Sequence, residues 1–419
     1  MLLCGDGMIS VEKVNEILGI KESYELPDRL MELLFSDKCQ RIVNEFRSLE
    51  EDLSYDRFSD YFQDEHSNRK AMMQDFTPKE LCSLLPELEG DYETVADICA
   101  GTGGLTIAMW NHDKNARFYC EELSNRAIPI LILNMLIRNI DAIIVNKDIL
   151  TGEVFAAYET KCGSVKRISD VPEDIGADVA VTNPPYSVKF KFEKDDERYK
   201  DYGVPPNQFS DYAFIIHAMS LINDSGSVLG ILPCGVLFRA NKEAVIRKNI
   251  INKKQFGAVI GMPDKLFKHT GIPVCVCVFK NNSDDILFID ASKDFDKKNK
   301  YKVITHESIK KISDCYHERK EIDKYSHLAD KDEVSENDYN LNIPRYVDAY
   351  EQEEIPELHT VMNELASLDV EIYKQQKELI RQMRQLTSED VSKRKELNQS
   401  IDMLEDAMEK RSVQLELKL

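Results

Sequence analysis

The sequence has no surplus of positive charge, no paired cysteines and no long apolar run. Its 419 residues carry 54 Lys and Arg against 75 Asp and Glu, a formal net charge of −21. A chain that grips a duplex unaided usually presents a basic face, and none is available here to spread along a phosphate backbone. No stretch reaches the roughly 18 apolar residues that would span a bilayer, so no membrane partner is expected. Residues 1–7 include Asp6 and no basic segment, unlike a secretory signal. The ten cysteines are scattered from Cys4 to Cys315 without C-x-x-C spacing. Cys275 and Cys277, the nearest pair, alternate within an apolar strand pattern, as core residues do. The expectation is a reduced cytoplasmic protein with no metal site. A phosphate-gripping P-loop is missing too, because no Lys-Ser/Thr pair follows the glycines.

What is present reads in order as helices, an α/β core and a helical tail. A 42% apolar content is ample for a core, and the length allows two or three domains. Residues 1–90 read as a helical domain, with Val11, Val14, Leu18 and Leu30, Leu33, Leu34 at helical spacing. Phe76-Thr77-Pro78 opens a further helix, with Thr77 as N-cap, Pro78 at N1 and Glu80 completing a box. Repeated strand–helix units fill 91–285, closing with a strand pair at 258–260 and 274–279. Residues 286–350 read as a core extension and linker, with Phe288-Ile289-Asp290 and 339–347 extended. In 351–419, Leu358, Met362, Leu365, Leu368, Ile372, Leu379, Met383 and Leu386 form a coiled-coil-like stripe. Residues 387–390 break it, and Leu397, Ile401, Leu404, Met408 and Leu415 resume it, which predicts a helical hairpin. Such a hairpin either packs on its own domain or binds a partner, and its length favours the partner.

The chemistry gathers around two stretches. A predicted strand, Thr94-Val95-Ala96-Asp97-Ile98-Cys99, places Asp97 near the turn and leads into Ala100-Gly101-Thr102-Gly103-Gly104. Glycines there let the backbone turn tightly and approach a ligand lying at a helix N-terminus. The loop departs from G-x-G-x-x-G, which disfavours a dinucleotide, and Asp97 suits a ligand bearing an ammonium group. Glu121-Glu122 end the second strand, about 20 residues on, where ribose hydroxyls are held in such folds. Asp148-Ile149 end the third. Solvated helix caps are the plain alternative for these three acids.

Asn183-Pro184-Pro185-Tyr186 ends the next apolar run. Two prolines stop that strand and keep Asn183 and Pro184 extended. Asn183 Oδ1 and the Pro184 carbonyl would then accept both protons of an amino group on a planar ring, with Tyr186 stacked on its face. Accepting both protons leaves the nitrogen lone pair free for attack. A proline-rich turn closing a strand is the competing reading. Lys189, Phe190 and Lys191 interleave charge and aromatic rings, as in a loop that contacts nucleic acid, although a solvated strand face alternates in the same way.

These stretches stand in the order used by gamma-class amino-group DNA methyltransferases. More closely, the chain resembles the modification (M) subunit of type I restriction–modification systems. Supporting segments are Tyr199-Lys200-Asp201-Tyr202-Gly203-Val204-Pro205-Pro206, Asp211-Tyr212-Ala213-Phe214, Leu232-Pro233-Cys234-Gly235, residues 263–272 and Asn340-Leu341-Asn342-Ile343-Pro344-Arg345-Tyr346. The resemblance runs over about 76–346, with an N-terminal helical region shorter than is usual in the family. It implies a Rossmann-like core that transfers methyl from S-adenosylmethionine to N6 of adenine in double-stranded DNA. It places the cofactor carboxylate near Phe76-Thr77, its ribose on Glu122 and its adenine near Asp148-Ile149. It also implies a bacterial or phage-encoded cytoplasmic complex. In that complex two copies would join one specificity (S) subunit through the hairpin, with or without a restriction (R) subunit. The alternatives are an RNA or protein-glutamine methyltransferase on the same fold, or a non-catalytic assembly subunit.

Overall fold

β-Branched and aliphatic runs too short for helices make the strands, and each run that ends in Gly, Asn or Asp turns into a loop. The computed structural model describes residues 10–49, 52–59, 77–267, 271–298, 301–348, 357–386 and 390–416. Phe76, residues 1–7, 268–270 and 387–389 lie outside the described residues, as do the side chains of Met408 and Leu415. The chain divides into two compact units, Met1–Ala349 and Tyr350–Leu419.

In the first unit the strands are β1 (Thr94–Ile98), β2 (Arg117–Glu122), β3 (Ala142–Lys147), β4 (Val154–Lys161), β5 (Ser164–Ile168), β6 (Ala177–Thr182) and β7 (Ile222–Pro233). They continue as β8 (Ala258–Gly261), β9 (Val274–Lys280), β10 (Ile286–Asp290), β11 (Asp296–Lys298), β12 (Tyr301–Val303) and β13 (Ser326–Ala329). Apart from the separate β11–β12 ribbon they form one sheet, ordered β13-β10-β8-β9-β7-β6-β1-β2-β3-β4-β5. β7, β6, β1, β2 and β3 run parallel, while β9 lies antiparallel between β7 and β8. A Rossmann-like α/β sheet is therefore at the centre, as the strand–helix alternation implies.

Helices cover both faces. α1 (Val11–Leu18), α2 (Leu26–Leu34) and α3 (Cys39–Arg47) share one apolar core with α4 (Lys79–Glu87), α5 (Gly104–His112) and α6 (Ile128–Arg138). The described N-terminal helices thus pack directly on the sheet's own helices. The opposite face carries α7 (Asp211–Met219) and α8 (Lys242–Asn252). α7 buries seven of its nine residues, so it is an enclosed helix rather than an amphipathic one. α9 (His306–Glu318) and the short α10 (Lys331–Glu336) follow.

Three stretches differ from the sequence reading. The β4–β5 hairpin was not anticipated; it is an exposed edge whose alternation is blurred by Lys161, Lys166 and Arg167. The sheet continues past residue 285, since β10 pairs with β8 and β13 with β10. Residues 339–347 hold no strand but a 3₁₀ turn at Ile343–Arg345, fixed by Tyr346 stacking on Phe288 at 3.9 Å between centroids.

The second unit consists of α11 (Leu358–Met383) and α12 (Val391–Glu416), which contact one another. Ile380 and Ile401 are buried, and Arg384 pairs with Glu405 at 2.7 Å. Of the α11 stripe, Leu358, Met362, Leu365, Leu368, Ile372 and Leu379 are exposed and Met383 is half-buried. Among the described residues, no helix is long and apolar enough to cross a membrane.

Candidate active site

The site lies where two parallel strands end side by side. Ile98 of β1 stands opposite Thr182 of β6, and the Thr182 hydroxyl donates to the Ile98 carbonyl at 2.6 Å. Cys99 and Asn183 therefore leave the sheet at the same level. The strand order reverses here, with β2 and β3 to one side of β1 and β6 and β7 to the other. Open α/β sheets take their ligands in such a crevice.

Asn183 is held from two directions. Its Nδ2 donates to the Thr77 hydroxyl at 2.9 Å, and its Oδ1 accepts the Tyr186 hydroxyl at 2.7 Å. Thr77 consequently does not cap a helix: α4 begins at Lys79, Pro78 occupies the cap position, and no side chain bonds there. A β-region Pro78 leaves the Thr77 side chain turned toward β6 instead. Among the described residues nothing donates to the Pro184 carbonyl. The Tyr186 ring is buried, edge-on to Phe267 at 6.2 Å.

The turn after the motif is strained and anchored. Ser187 has φ +55°, a left-handed conformation costing a β-carbon-bearing residue roughly 1–2 kcal/mol. Its N–H donates to Asp211 Oδ1 at 3.0 Å, and Arg239 binds Asp211 Oδ2 at 2.8 Å. A hydrogen bond to a charged group contributes roughly 1.5–3 kcal/mol, enough to offset the strain. Arg239 also meets Glu243, whose pKa burial pushes up to about 7 against the pull of that guanidinium. Nothing local in the sequence marks Asp211 or Arg239 for this task, because they meet the loop only through the fold.

The glycine loop turns through Cys99, Gly101 and Gly103 at φ +65°, +58° and +99°. A Cβ at Gly103 would stand 2.9 Å from Leu131 Cδ1 and 3.2 Å from Met135 Cε. A side chain there collides with α6 rather than entering the ligand side. Gly104 starts α5 facing Cys82, while Ala100 donates its N–H to the Glu121 carbonyl at 2.9 Å. Thr102 is wholly buried and directed away from the crevice. Asp97 is equally buried, so it is not open to a ligand's ammonium group. Its Oδ2 accepts both the N–H and the hydroxyl of Thr106, at 2.9 and 2.6 Å, and so pins the start of α5. Burial raises its pKa to about 7 despite those bonds. Its other oxygen is buried without a hydrogen-bond partner among the described residues, which is costly for a polar atom.

The two acids ending β2 point to opposite faces, as successive strand residues must. Glu122 accepts the N–H groups of Gly101 and Ser124 at 2.8 and 2.7 Å. Burial raises its pKa and those backbone bonds oppose the rise. Glu121 instead meets His217 of α7 at 2.5 Å and Lys147 at 2.7 Å. Burial alone would raise its pKa, but His217 and Lys147 outweigh it and hold the carboxyl at about 2. The folded pKa lies below the ordinary 4.5, so this stabilisation is complete above 4.5 and is lost as pH falls toward 2. Glu121→Gln should therefore be less stable at neutral pH and lose less on acidification, measured as urea midpoints between pH 6 and about 3. Identical pH slopes for the two proteins would refute the ion cluster.

Asp148, half-buried after β3, accepts the Leu150 N–H at 2.9 Å, and Ile149 is buried beside it. Farther out, Lys189 and Lys191 are exposed, whereas Phe190 packs edge-on against Phe192 at 4.8 Å and Phe192 joins the core. Phe190 thus supports the loop, and only the lysines face outward.

The profile of the N-6 DNA Methylase family matches residues 54–355. The chain is 30% identical over 300 residues to the type I restriction enzyme MpnII methylase subunit of Mycoplasma pneumoniae, covering 67% of this chain and 54% of that protein. It is 29% identical over 315 residues to the type I restriction enzyme MjaVIII methylase subunit of Methanocaldococcus jannaschii, covering 70% and 53%. It spans about half the length of these curated relatives. Among solved structures, the type I restriction-modification system methyltransferase subunit from Streptococcus thermophilus is similar at a TM-score of 0.62 and 27% identity, covering 81% of this chain and 79% of that one. With most of its length under that one profile, the chain belongs to the N-6 DNA Methylase family.

Proposed function

We propose that the chain transfers a methyl group from S-adenosylmethionine to N6 of an adenine flipped out of double-stranded DNA, as the modification subunit of a type I restriction–modification complex. The observation that carries this reading is the adjacency of the glycine loop and the Asn183 motif at the β1–β6 crevice, with the Pro184 carbonyl unengaged among the described residues. The donor set suits the cofactor: Glu122 and Asp148 end neighbouring strands, and neither has an ion pair among the described residues. Glu122 would take the ribose hydroxyls, Asp148-Ile149 the adenine, and the Phe76-Thr77-Pro78 segment the carboxylate end. When bound, S-adenosylmethionine supplies an electrophilic methyl.

The rest is positioning by this chain's residues. Flipping the base costs a few kcal/mol, and stacking on Tyr186 would return roughly 1–3 kcal/mol. Asn183 Oδ1 and the Pro184 carbonyl accept the two N6 protons and turn the lone pair toward the methyl, so orientation supplies most of the catalysis. Lys189 and Lys191 would meet phosphates. The exposed α11 stripe would pack on helices of a specificity subunit, which brings the base-reading domains.

DNA from cells expressing the chain with its neighbouring genes should contain N6-methyladenine at one sequence. Methyl groups found only on RNA or protein would defeat the proposal. Glu122→Ala should weaken S-adenosylmethionine binding roughly ten- to a hundredfold, the worth of a charge-assisted bond of about 1.5–3 kcal/mol. Calorimetry checks this, and unchanged affinity would remove Glu122 from the site.

A further inference from the structure

A segment far from every motif grips the back of the glycine loop. Asp56 lies in the stretch 52–58, between the N-terminal helices and the Thr77 segment, and is buried. The Thr102 hydroxyl donates to Asp56 Oδ2 at 2.5 Å. Asp56 Oδ1 accepts the Asn134 amide at 3.0 Å and the Phe58 N–H at 2.9 Å. That same Asn134 amide also donates to the Thr102 carbonyl at 2.7 Å, so both the side chain and the backbone of Thr102 are tied down. Arg138 fixes the segment by bonding the Leu53 and Tyr55 carbonyls, each at 2.9 Å, and the Asn134 side chain at 2.9 Å.

The segment touches the other wall of the crevice as well. Lys79, at the start of α4, reaches Asp52 at 3.7 Å and sits over the Tyr55 ring at 3.9 Å. Phe58 packs edge-on against Phe46 of α3 at 5.5 Å, which joins the segment to the N-terminal helices. It is thus a strap across the two elements proposed to line the cofactor. The loop needs such a hold, because Cys99, Gly101 and Gly103 all adopt left-handed backbone and one β-turn bond, Gly103 N–H to Ala100 O at 2.8 Å, is its internal support among the described residues. A buried carboxylate is costly unless fully bonded, and every bond Asp56 makes to a neighbouring element goes to Thr102 or to Asn134, which itself holds Thr102.

We infer that Asp56 is a positioning residue for cofactor binding, holding the glycine loop through Thr102 in the conformation that accepts S-adenosylmethionine. The inference rests on the cofactor proposed above. It is tested on the full chain by calorimetric titration with S-adenosylmethionine and with S-adenosylhomocysteine, well below the melting temperature. Thr102→Val, isosteric but without the hydroxyl, should weaken both ligands about tenfold, and Thr102→Ser should stay near wild type. Asp56→Asn keeps an acceptor and should bind far better than Asp56→Ala. Ser10→Ala removes the remote cap of α1 and serves as the control: it should lower the melting temperature and leave affinity unchanged. Should Asp56→Ala fail to fold, the Thr102 pair decides. Wild-type binding with Thr102→Val equal to it, or Thr102→Ser equally impaired, overturns the role of Asp56 alone. Wild type that binds neither ligand overturns the proposed function, and this inference with it.

Discussion

Asn183→Ala is expected to lower methyl transfer by roughly 10²–10³-fold, the cost of losing one preorganised group aimed at developing charge, while cofactor affinity stays close to wild type. The reason lies in how Asn183 is oriented. Its Nδ2 donates to Thr77, which fixes the plane of the amide at the end of β6. Oδ1 currently receives the Tyr186 hydroxyl, and a carbonyl oxygen has a second lone pair for the target amino group. Alanine removes the acceptor without touching Glu122 or the glycine loop. Tyr186→Phe separates two duties of the tyrosine: it keeps the ring and loses the bond to Asn183. It should retain substantial activity, whereas Tyr186→Ala should not. Single-turnover transfer by the assembled complex gives the rate and calorimetry the affinity. A rate for Asn183→Ala within about tenfold of wild type would remove this amide from the chemistry.

The sequence disclosed the two candidate loops through residues whose conformation depends on local backbone. Two prolines fix Asn183, and glycines permit the left-handed turns at 101 and 103, so both loops were legible without a structure. The strand ends at Asp97, Glu122 and Asp148 were legible as well, because alternation and spacing locate them. Their division of labour was not. Whether Asp97 faces a ligand or Thr106, and which of Glu121 and Glu122 looks into the crevice, depends on which sheet face each occupies and on what packs there. Thr77 was misread for the same reason: a helix-start pattern is local, and its bond partner lies 106 residues away. Asp56, Asp211 and Arg239 carry no local signature at all, since each acts only across the fold.

The purified chain alone is expected to bind S-adenosylmethionine and to transfer essentially no methyl groups to DNA. Adding a specificity subunit should switch transfer on at one sequence. A net charge of −21 opposes approach to a duplex, and under the proposed function the core's crevice would be filled by cofactor and target base. Sequence reading needs side chains at base edges held by phosphate contacts, and no reader motif is evident in this sequence. The α11 stripe, exposed from Leu358 to Leu379, is the surface left for an added subunit. Truncation after Ala349 follows the division between the two compact units and should leave cofactor binding intact while abolishing assembly, measured by calorimetry and size-exclusion chromatography. Robust site-specific transfer by the 419-residue chain without any added protein would overturn the proposed division of labour.

The pairing of β1 with β6 also sets a timetable for the ribosome. Thr182 bonds to Ile98 across 84 residues of chain, and β2, β3 and the β4–β5 hairpin are all synthesised in between. β1 therefore has no partner on its β6 side until residues 177–182 have been synthesised. Non-local pairing of this kind is slow, and open edges invite mispairing while they last. The Asn183 motif reaches the glycine loop only when β6 pairs with β1, so under the proposed function the two halves of the site would meet in that one step.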